Sequence, residues 1–411
     1  MRDIELYRAI LGLTPPWTVV NVALDVKGLQ VTVRVDAGPG PFPCPECATP
    51  GSGYDSKSRR WRHLDTCQFT TWIEADVPRM QCATHGVKQV RVPWAEPGSQ
   101  FTALFERLAI DLLRECSVTG GADLLRITWN EAWGIKARAV RRGLGRRQQE
   151  VVTHVGVDEK AIAKRHSYLT IVADLKATEP RVLYLADERK TESLDGFWTT
   201  LTAEQRTGIA AVTMDMWEPY VQSTRAHLEG ADAKIVFDKF HVAKHVHDAV
   251  DRVRRTEHRT LKGVTDERLT GSKYLWLMRP GDMSPDQDTA FRGLLRQDLK
   301  VARAWLLKEQ FRRFWDYRSA GAARTFFRRW FWRATHSRLQ PMAEVAKTIQ
   351  RHLPNLLTYL RHHVTNAGLE AVNSVIQSVK RTARGFRNRE NFKIAIYFHC
   401  GGLDLYPHES R

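Results

Sequence analysis

Ile209-Ala-Ala-Val-Thr-Met-Asp-Met-Trp-Glu-Pro-Tyr220 is the stretch on which the fold class turns. Its apolar, partly β-branched run ends on an acid, and a run that short reads as a buried strand. His154-Val-Gly-Val-Asp158, Tyr168-Leu-Thr-Ile-Val-Ala173, Arg181-Val-Leu-Tyr-Leu185 and Lys234-Ile-Val-Phe-Asp238 have the same character. Helical stretches fall near residues 192–204 and 218–230. Three strands in succession, followed by strands alternating with helices, predict an α/β layer architecture.

The chain changes character on both sides of this block. Trp17-Thr-Val-Val-Asn-Val-Ala-Leu24 and Leu29-Gln-Val-Thr-Val-Arg-Val35 alternate with a period of two and predict strands. Residues 241–364 read as nearly all helix. Their large aromatics, Trp276, Trp305, Trp315, Trp330 and Trp332, are expected to fill a helical core in preference to stacking on bases. One more helix is predicted over residues 365–384.

The 411 residues carry 63 Lys and Arg against 46 Asp and Glu, a net charge of +17. Such an excess favours a polyanionic partner, because neutralising phosphates releases condensed counterions. Charge alone does not separate DNA from RNA or an anionic membrane. No apolar run approaches the roughly 18 residues that would span a bilayer, and Met1-Arg-Asp-Ile-Glu-Leu6 lacks a signal-peptide core. A cytoplasmic protein is expected, and a nucleoid-associated one if its partner is DNA.

Cys44-Pro-Glu-Cys47 is a C-x2-C knuckle, and Cys82-Ala-Thr-His85 adds a C-x2-H pair after 34 intervening residues. Zinc takes four such ligands in a tetrahedron. Each knuckle offers two on one turn, and a hairpin between them would bring the pairs together. One structural Zn²⁺ held by Cys44, Cys47, Cys82 and His85 is expected, with His63 and Cys67 as competitors of His85. Cys116 and Cys400 read as core residues.

Residues 101–147 suggest a helix-turn-helix: a helix from Phe101 to Cys116, a short second helix, then Thr128-Trp-Asn-Glu131 as a capping box opening a third. Lys136, Arg138, Arg141, Arg142, Arg146 and Arg147 follow, and their exposed side would meet phosphates and base edges. A solvated basic linker helix is the plainer alternative.

Asp158 and Asp215 each end a predicted strand, so both can lie at one sheet edge. Glu370 belongs to the helix that Asn366 can cap. Leu369, Val372, Ile376 and Val379 form its buried stripe, and Glu370, Asn373, Gln377, Lys380 and Arg381 its polar strip. Hard oxygens from several elements suit Mg²⁺. Strand-end aspartates also serve as turn or cap residues, and Glu159, Asp174, Asp187 and Asp238 compete locally.

At these residues the chain resembles the ISL-three family of bacterial insertion-sequence transposases. The matching segments are Cys44-Pro-Glu-Cys47, Arg62-His-Leu64, Gly156-Val-Asp-Glu159, Met214-Asp-Met-Trp217-Glu-Pro-Tyr220, Ile235-Val-Phe-Asp-Lys-Phe-His241 and Thr365-Asn-Ala-Gly-Leu-Glu370-Ala-Val-Asn373. The last continues into Lys380-Arg-Thr-Ala-Arg384-Gly-Phe-Arg-Asn388. The resemblance implies a multidomain α/β protein: a zinc ribbon, a helix-turn-helix, and an RNase-H-like catalytic core with an all-helical insertion. The expected boundaries are 1–100, 101–150, 151–241 with 365–400, and 242–364.

It also implies that Asp158, Asp215 and Glu370 bind two Mg²⁺ ions, with Mn²⁺ as a substitute. Asp238 and His241 would support them, and Asn373, Lys380, Arg381 and Arg384 would contact DNA. The implied substrates are double-stranded terminal inverted repeats and target DNA, cut and joined by a homodimer or larger assembly. A non-catalytic DNA-binding regulator and a structure-specific nuclease are the alternatives. Inverted repeats flanking several gene copies would separate them from a transposase.

Overall fold

The computed structural model describes residues 3–147, 151–163, 167–177 and 179–407. The chain forms two compact units, residues 1–148 with 379–411, and residues 149–378.

The first unit opens with α1 (Asp3–Ile10) and the predicted strands β1 (Thr18–Asp25) and β2 (Gln30–Asp36). Two short strands, β3 (Phe42–Pro43) and β4 (Pro50–Gly51), pair around the first cysteine knuckle. A long hairpin follows, β5 (Gly53–Arg62) with β6 (Thr70–Cys82), and β7 (Gly86–Gln89) folds back on β6. The order is β1-β2-β6-β5, with β2 and β6 parallel. Trp94 packs edge-on against Trp17 at 4.9 Å and Trp61 at 5.3 Å, a geometry that the ring quadrupole favours.

Three helices come next, α2 (Ala103–Glu115), α3 (Val118–Leu125) and α4 (Trp129–Arg146). Thr102, Ser117 and Thr128 cap them, and Thr128 with Glu131 forms the predicted capping box. Arg126 turns the chain between α3 and α4 in the left-handed region, at φ 56°. The last helix, α17 (Arg389–Cys400), packs on α4, and Phe398, Leu403 and Leu405 are buried among α2–α4 residues such as Ile110, Leu113 and Ile135. This differs from the expectation that residues 365–400 close the catalytic core. The segment after 379 belongs to the first unit because its apolar face is covered there.

The second unit is built on β8 (His154–Ala163), β9 (Ser167–Asp174), β10 (Arg181–Asp187), β11 (Ala211–Met214) and β12 (Ile235–Phe237). Their order is β10-β9-β8-β11-β12. The first three form an antiparallel meander, and β11 runs parallel to both β8 and β12. Helices α5 (Thr191–Thr200), α6 (Ala203–Gly208), α7 (Glu218–His227) and α8 (Ala231–Lys234) connect the later strands.

Beyond β12 the chain becomes helical. It runs through α9 (Lys239–Lys262), α10 (Lys273–Leu277), α11 (Pro285–Leu295), α12 (Lys300–Arg312), α13 (Ala320–Thr335), α14 (Gln340–Arg351) and α15 (Leu353–His362) before α16 (Ala367–Thr382). Trp276, Trp305 and Trp330 are buried, as core residues should be. The apolar core is continuous from Val155 and Val212 in the sheet to Phe311 and Ile349 in these helices. The helical segment therefore shares one core with the sheet.

Helix α16 meets the sheet at a glycine. A Cβ on Gly156 would lie 2.5 Å from Leu369 Cδ1 and 3.0 Å from Leu175 Cδ2, so only glycine leaves room for the helix. Gly156→Ala is expected to destabilise the protein by about 1–3 kcal/mol through overpacking. In a Leu369→Ala background the penalty should shrink, because the obstructing methyl is gone. Urea unfolding of the four-member cycle measures this, and additive costs would mean that the two residues do not meet.

Candidate active site

Strand register gathers the acids. Thr213 on β11 pairs with Gly156 on β8, and Met214 pairs with Phe237 on β12. Two residues beyond the first pair lie Asp158 and Asp215, and one beyond the second lie Asp215 and Asp238. The three aspartates thus occupy one register row across adjacent parallel strands, which are spaced about 4.8 Å apart. Asp158 does not end its strand as expected. β8 runs on to Ala163 because β9 still pairs with it there, and Asp158 stands where β11 has stopped.

Each acid is held. Asp158 is half-buried and accepts hydrogen bonds from the Glu159 amide at 2.8 Å and from Asn373 Nδ2 at 2.7 Å. Burial raises its pKa, as does the charge of Asp215, against the lowering pull of those donors and His241. Burial raises Glu159 as well, with Asp158 and Asp215 adding to the effect. Asp215 accepts from the Met216 amide at 2.6 Å. Asp238 is buried; it caps α9 through the Phe240 amide and contacts His241 Nδ1 at 3.0 Å. That contact, with the field of Asp215 and Asp158, lifts His241 to about 9 despite its burial. The cationic form of His241 is thus favoured at neutral pH and sets a positive charge against the surrounding carboxylates.

Glu370 lies on the exposed side of α16, one turn before Asn373. Asn373 spends its amide on Asp158 rather than on a phosphate. Two further contacts fix the start of this helix: Leu369 against Gly156, and Thr213 Oγ1 donating to Asn366 Oδ1. The Asn366 side chain thus serves the sheet, while its carbonyl accepts the Glu370 amide at 2.9 Å. The carboxylates of Asp158, Asp215 and Glu370 do not form a cluster as tight as that of the cysteines described below. Two buried oxygens beside Asp158, Glu159 Oε2 and Asn373 Oδ1, have no hydrogen-bond partner among the described residues. Acceptors without donors, beside the Asp158 carboxylate, form a donor set suited to a hard cation.

Arg189 escaped the sequence reading. It pairs with Glu159 at 3.2 Å, and its guanidinium lies 4.2 Å from the Tyr168 ring centroid and 4.5 Å from that of Trp217. Its only signal was the position just after β10, where a turn residue is equally ordinary.

In the first unit Cys44, Cys47, Cys82 and His85 converge, with all candidate ligand atoms within 4.8 Å of one another. Cys44 Sγ lies 3.7 Å from His85 Nδ1, Cys47 Sγ 3.7 Å from Cys82 Sγ, and Cys82 Sγ 3.6 Å from His85 Nδ1. Zinc with bonds of about 2.3 Å to sulfur and about 2.0 Å to nitrogen requires edges close to these. Glu46 stands 3.6 Å from His85 Nε2 and is itself held by Lys88 at 2.6 Å, a carboxylate placed to orient the imidazole. Neither competitor joins the cluster. His63 is buried with Nδ1 on Thr102 Oγ1 at 3.0 Å and is pushed down to about 4 by burial, and Cys67 is exposed.

Comparison with known families covers both regions of the chain. Residues 155–396 match a family model described as "Transposase". The chain belongs to the ISL3 family of transposases. Residues 40–85 match the zinc-finger of transposase IS204/IS1001/IS1096/IS1165, and residues 90–140 the helix-turn-helix domain of transposase family ISL3. Among its relatives, the transposase for insertion sequence element IS1557 of Mycobacterium tuberculosis is 27% identical over 94% of this chain and 93% of its own. The transposase for insertion sequence element IS1001 of Bordetella parapertussis is 25% identical over 84% of each. An ISL3 transposase is an enzyme that cuts DNA and transfers strands, and its helix-turn-helix binds DNA. No helix among the described residues is long and apolar enough to cross a membrane.

Most of the basic residues expected to meet DNA from the exposed side of α4 are engaged within the first unit instead. Arg142 is 6% exposed and bonds Glu96, Glu106 and the Leu405 carbonyl. Arg138 pairs with Glu106, itself 1% exposed, at 2.6 Å. Arg146 pairs with Asp404 at 3.0 Å, and Arg147 donates to the Gly401 carbonyl at 2.6 Å. Lys136 is buried on the Phe398 ring, 3.1 Å from His399 Nε2, and burial pulls it down to about 8. These cations hold α4 to α2 and to the C-terminal segment. Arg141, Arg381 and Arg384 are exposed, and Lys380 is half-buried. The start of α4 also faces outward, with Thr128, Asn130 and a Trp129 that is 45% exposed and stacked on Trp133.

Glu106→Ala should cost about 3–5 kcal/mol in urea unfolding, because it strips a buried carboxylate from Arg138 and Arg142. Arg141→Ala should change stability by less than about 0.5 kcal/mol. It should instead flatten the salt dependence of DNA binding by about one. Equal effects of the two substitutions on both measurements would contradict this division.

Proposed function

We propose that this ISL3 transposase cuts and joins DNA at a carboxylate site in which Asp158, Asp215 and Glu370 hold two Mg²⁺ ions, with Asp238 and His241 in support. The observation that carries the reading is the register row of Asp158, Asp215 and Asp238, with Asn373 of the Glu370 helix bonded to Asp158. The strand order, an antiparallel meander followed by two parallel strands, supports an RNase-H-like core interrupted by the helices of residues 242–364. When bound, the ions would neutralise charge at the scissile phosphate and lower the pKa of the attacking hydroxyl.

The chain's own residues do the rest. Asn373 and the Glu159 amide fix the Asp158 carboxylate, so its ligand oxygens arrive oriented. Asp238 holds His241 as a cation, which tempers the mutual repulsion of the acids. Arg189, pinned between two rings, offers a guanidinium to a phosphate oxygen beside the acids. Recognition of terminal inverted repeats falls to the first unit, through the exposed start of α4 and the ribbon in which Cys44, Cys47, Cys82 and His85 hold one Zn²⁺. Two transposon ends have to be paired, so a homodimer or larger assembly is the working unit, with target DNA as second substrate.

Asp158→Asn, Asp215→Asn and Glu370→Gln should each lower Mg²⁺-dependent cleavage of cognate ends by orders of magnitude, because groups that act as a unit fail as a unit. Gel-shift affinity for the same ends should be preserved. Near-normal cutting by Glu370→Gln would remove that residue from the site. Elemental analysis should find one zinc per chain, and Cys82→Ser should lose it together with end binding. Zinc retained in that variant would overturn the ligand set.

A further inference from the structure

Helix α13 has two contrasting faces. Inward, Ala323, Phe327, Trp330 and Ala334 are buried, and Trp330 Nε1 donates to the Leu307 carbonyl at 2.8 Å. Outward stand Arg324, Arg328, Arg329, Trp332, Arg333 and His336, all exposed. At 100° per residue these six fall on one side of the cylinder.

Three features set this side apart. First, α13 contains no Asp or Glu, and among the described residues none of its four outward arginines has an ion-pair partner. Several arginines elsewhere in the helical segment do have acidic partners, as Arg252 has Glu344, Arg255 has Asp251, Arg268 has Asp266 and Arg292 has Asp288. Second, Trp332 is 62% exposed, whereas Trp276, Trp305 and Trp330 are buried. Third, the exposed indole is already in place. It lies flat on the His336 imidazole, with centroids 4.6 Å apart and planes 20° apart, and His336 Nδ1 is tied to the Trp332 carbonyl at 2.8 Å.

Unneutralised arginines call for a polyanion. A flat aromatic plane among them adds something that a fully paired duplex does not use, since its bases are already stacked on one another. We propose that the outer face of α13 binds DNA at a strand carrying an unpaired base, with the arginines on the phosphates and Trp332 stacked on the base. Stacking is indifferent to base identity, so this surface recognises strand opening and not sequence. The inference requires only that the chain acts on DNA. It is independent of the carboxylate assignment.

The test uses the full-length, zinc-loaded protein without added Mg²⁺, so that cleavage does not enter the readout. Two probes share one duplex, either blunt or with a short single-stranded end containing 2-aminopurine. Wild type should bind the open-ended probe about tenfold more tightly, within the range of one base–aromatic stack, and should quench the 2-aminopurine. Trp332→Ala should lose both the preference and the quenching, and Trp332→Tyr should retain most of each. Arg328→Ala with Arg329→Ala should weaken both probes alike and reduce the salt slope by about 1.5. A wild type without preference, or a Trp332→Ala variant that keeps it, would overturn the proposal. So would sedimentation showing that Trp332→Ala dissolves a DNA-free oligomer while the preference survives, because the face would then be a contact between copies of the chain.

Discussion

The packing of Leu369 into the space left by Gly156 is the contact on which the candidate site depends. After Phe237 the chain leaves the sheet for a long helical excursion, and α16 has to return to one place on β8. A missing Cβ admits the helix, the Thr213–Asn366 bond fixes its start, and the Asn373–Asp158 bond fixes its second turn. These three contacts involve an apolar, a hydroxyl and an amide side chain, and each lies within one turn of Glu370. Sliding the helix by one residue would break all three together, so its position is set by shape and hydrogen bonding before any ion is considered.

Electrostatics then work differently in the two units. In the second, Asp158 and Glu159 are ionised at a cost, because burial and the field of Asp215 both raise their pKa values. His241 offsets part of that cost. In the first, arginines are spent on internal carboxylates, which makes the helix-turn-helix a structure held by charge as well as by its apolar core. The excess of positive charge therefore overstates what is available to a nucleic acid.

Much of this was legible in the sequence, and the reasons are local. Spacing disclosed the cysteine knuckles, because two ligands on one turn leave a fixed interval, and Thr128-Trp-Asn-Glu131 disclosed a helix start through reciprocal hydrogen bonds. Apolar runs located the five strands of the second sheet. What stayed hidden depended on partners far along the chain. Arg142 reads as a surface cation until Glu96, Glu106 and the Leu405 carbonyl surround it. Helix Arg389–Cys400 carries no mark of which apolar surface it will cover. Trp332 and Trp330 are two positions apart in a helix, and only the packed fold separates the exposed ring from the buried one.

The burial of Phe398, Leu403 and Leu405 among the helices of residues 103–146 has a consequence during synthesis. A ribosome makes the ribbon and the three helices α2–α4 early, yet the apolar surface of those helices is completed only by residues 398–405. The excursion before α16 likewise delays Glu370. Each unit is therefore completed by a segment made long after its first strands, and neither closes its core while the chain between is still being synthesised.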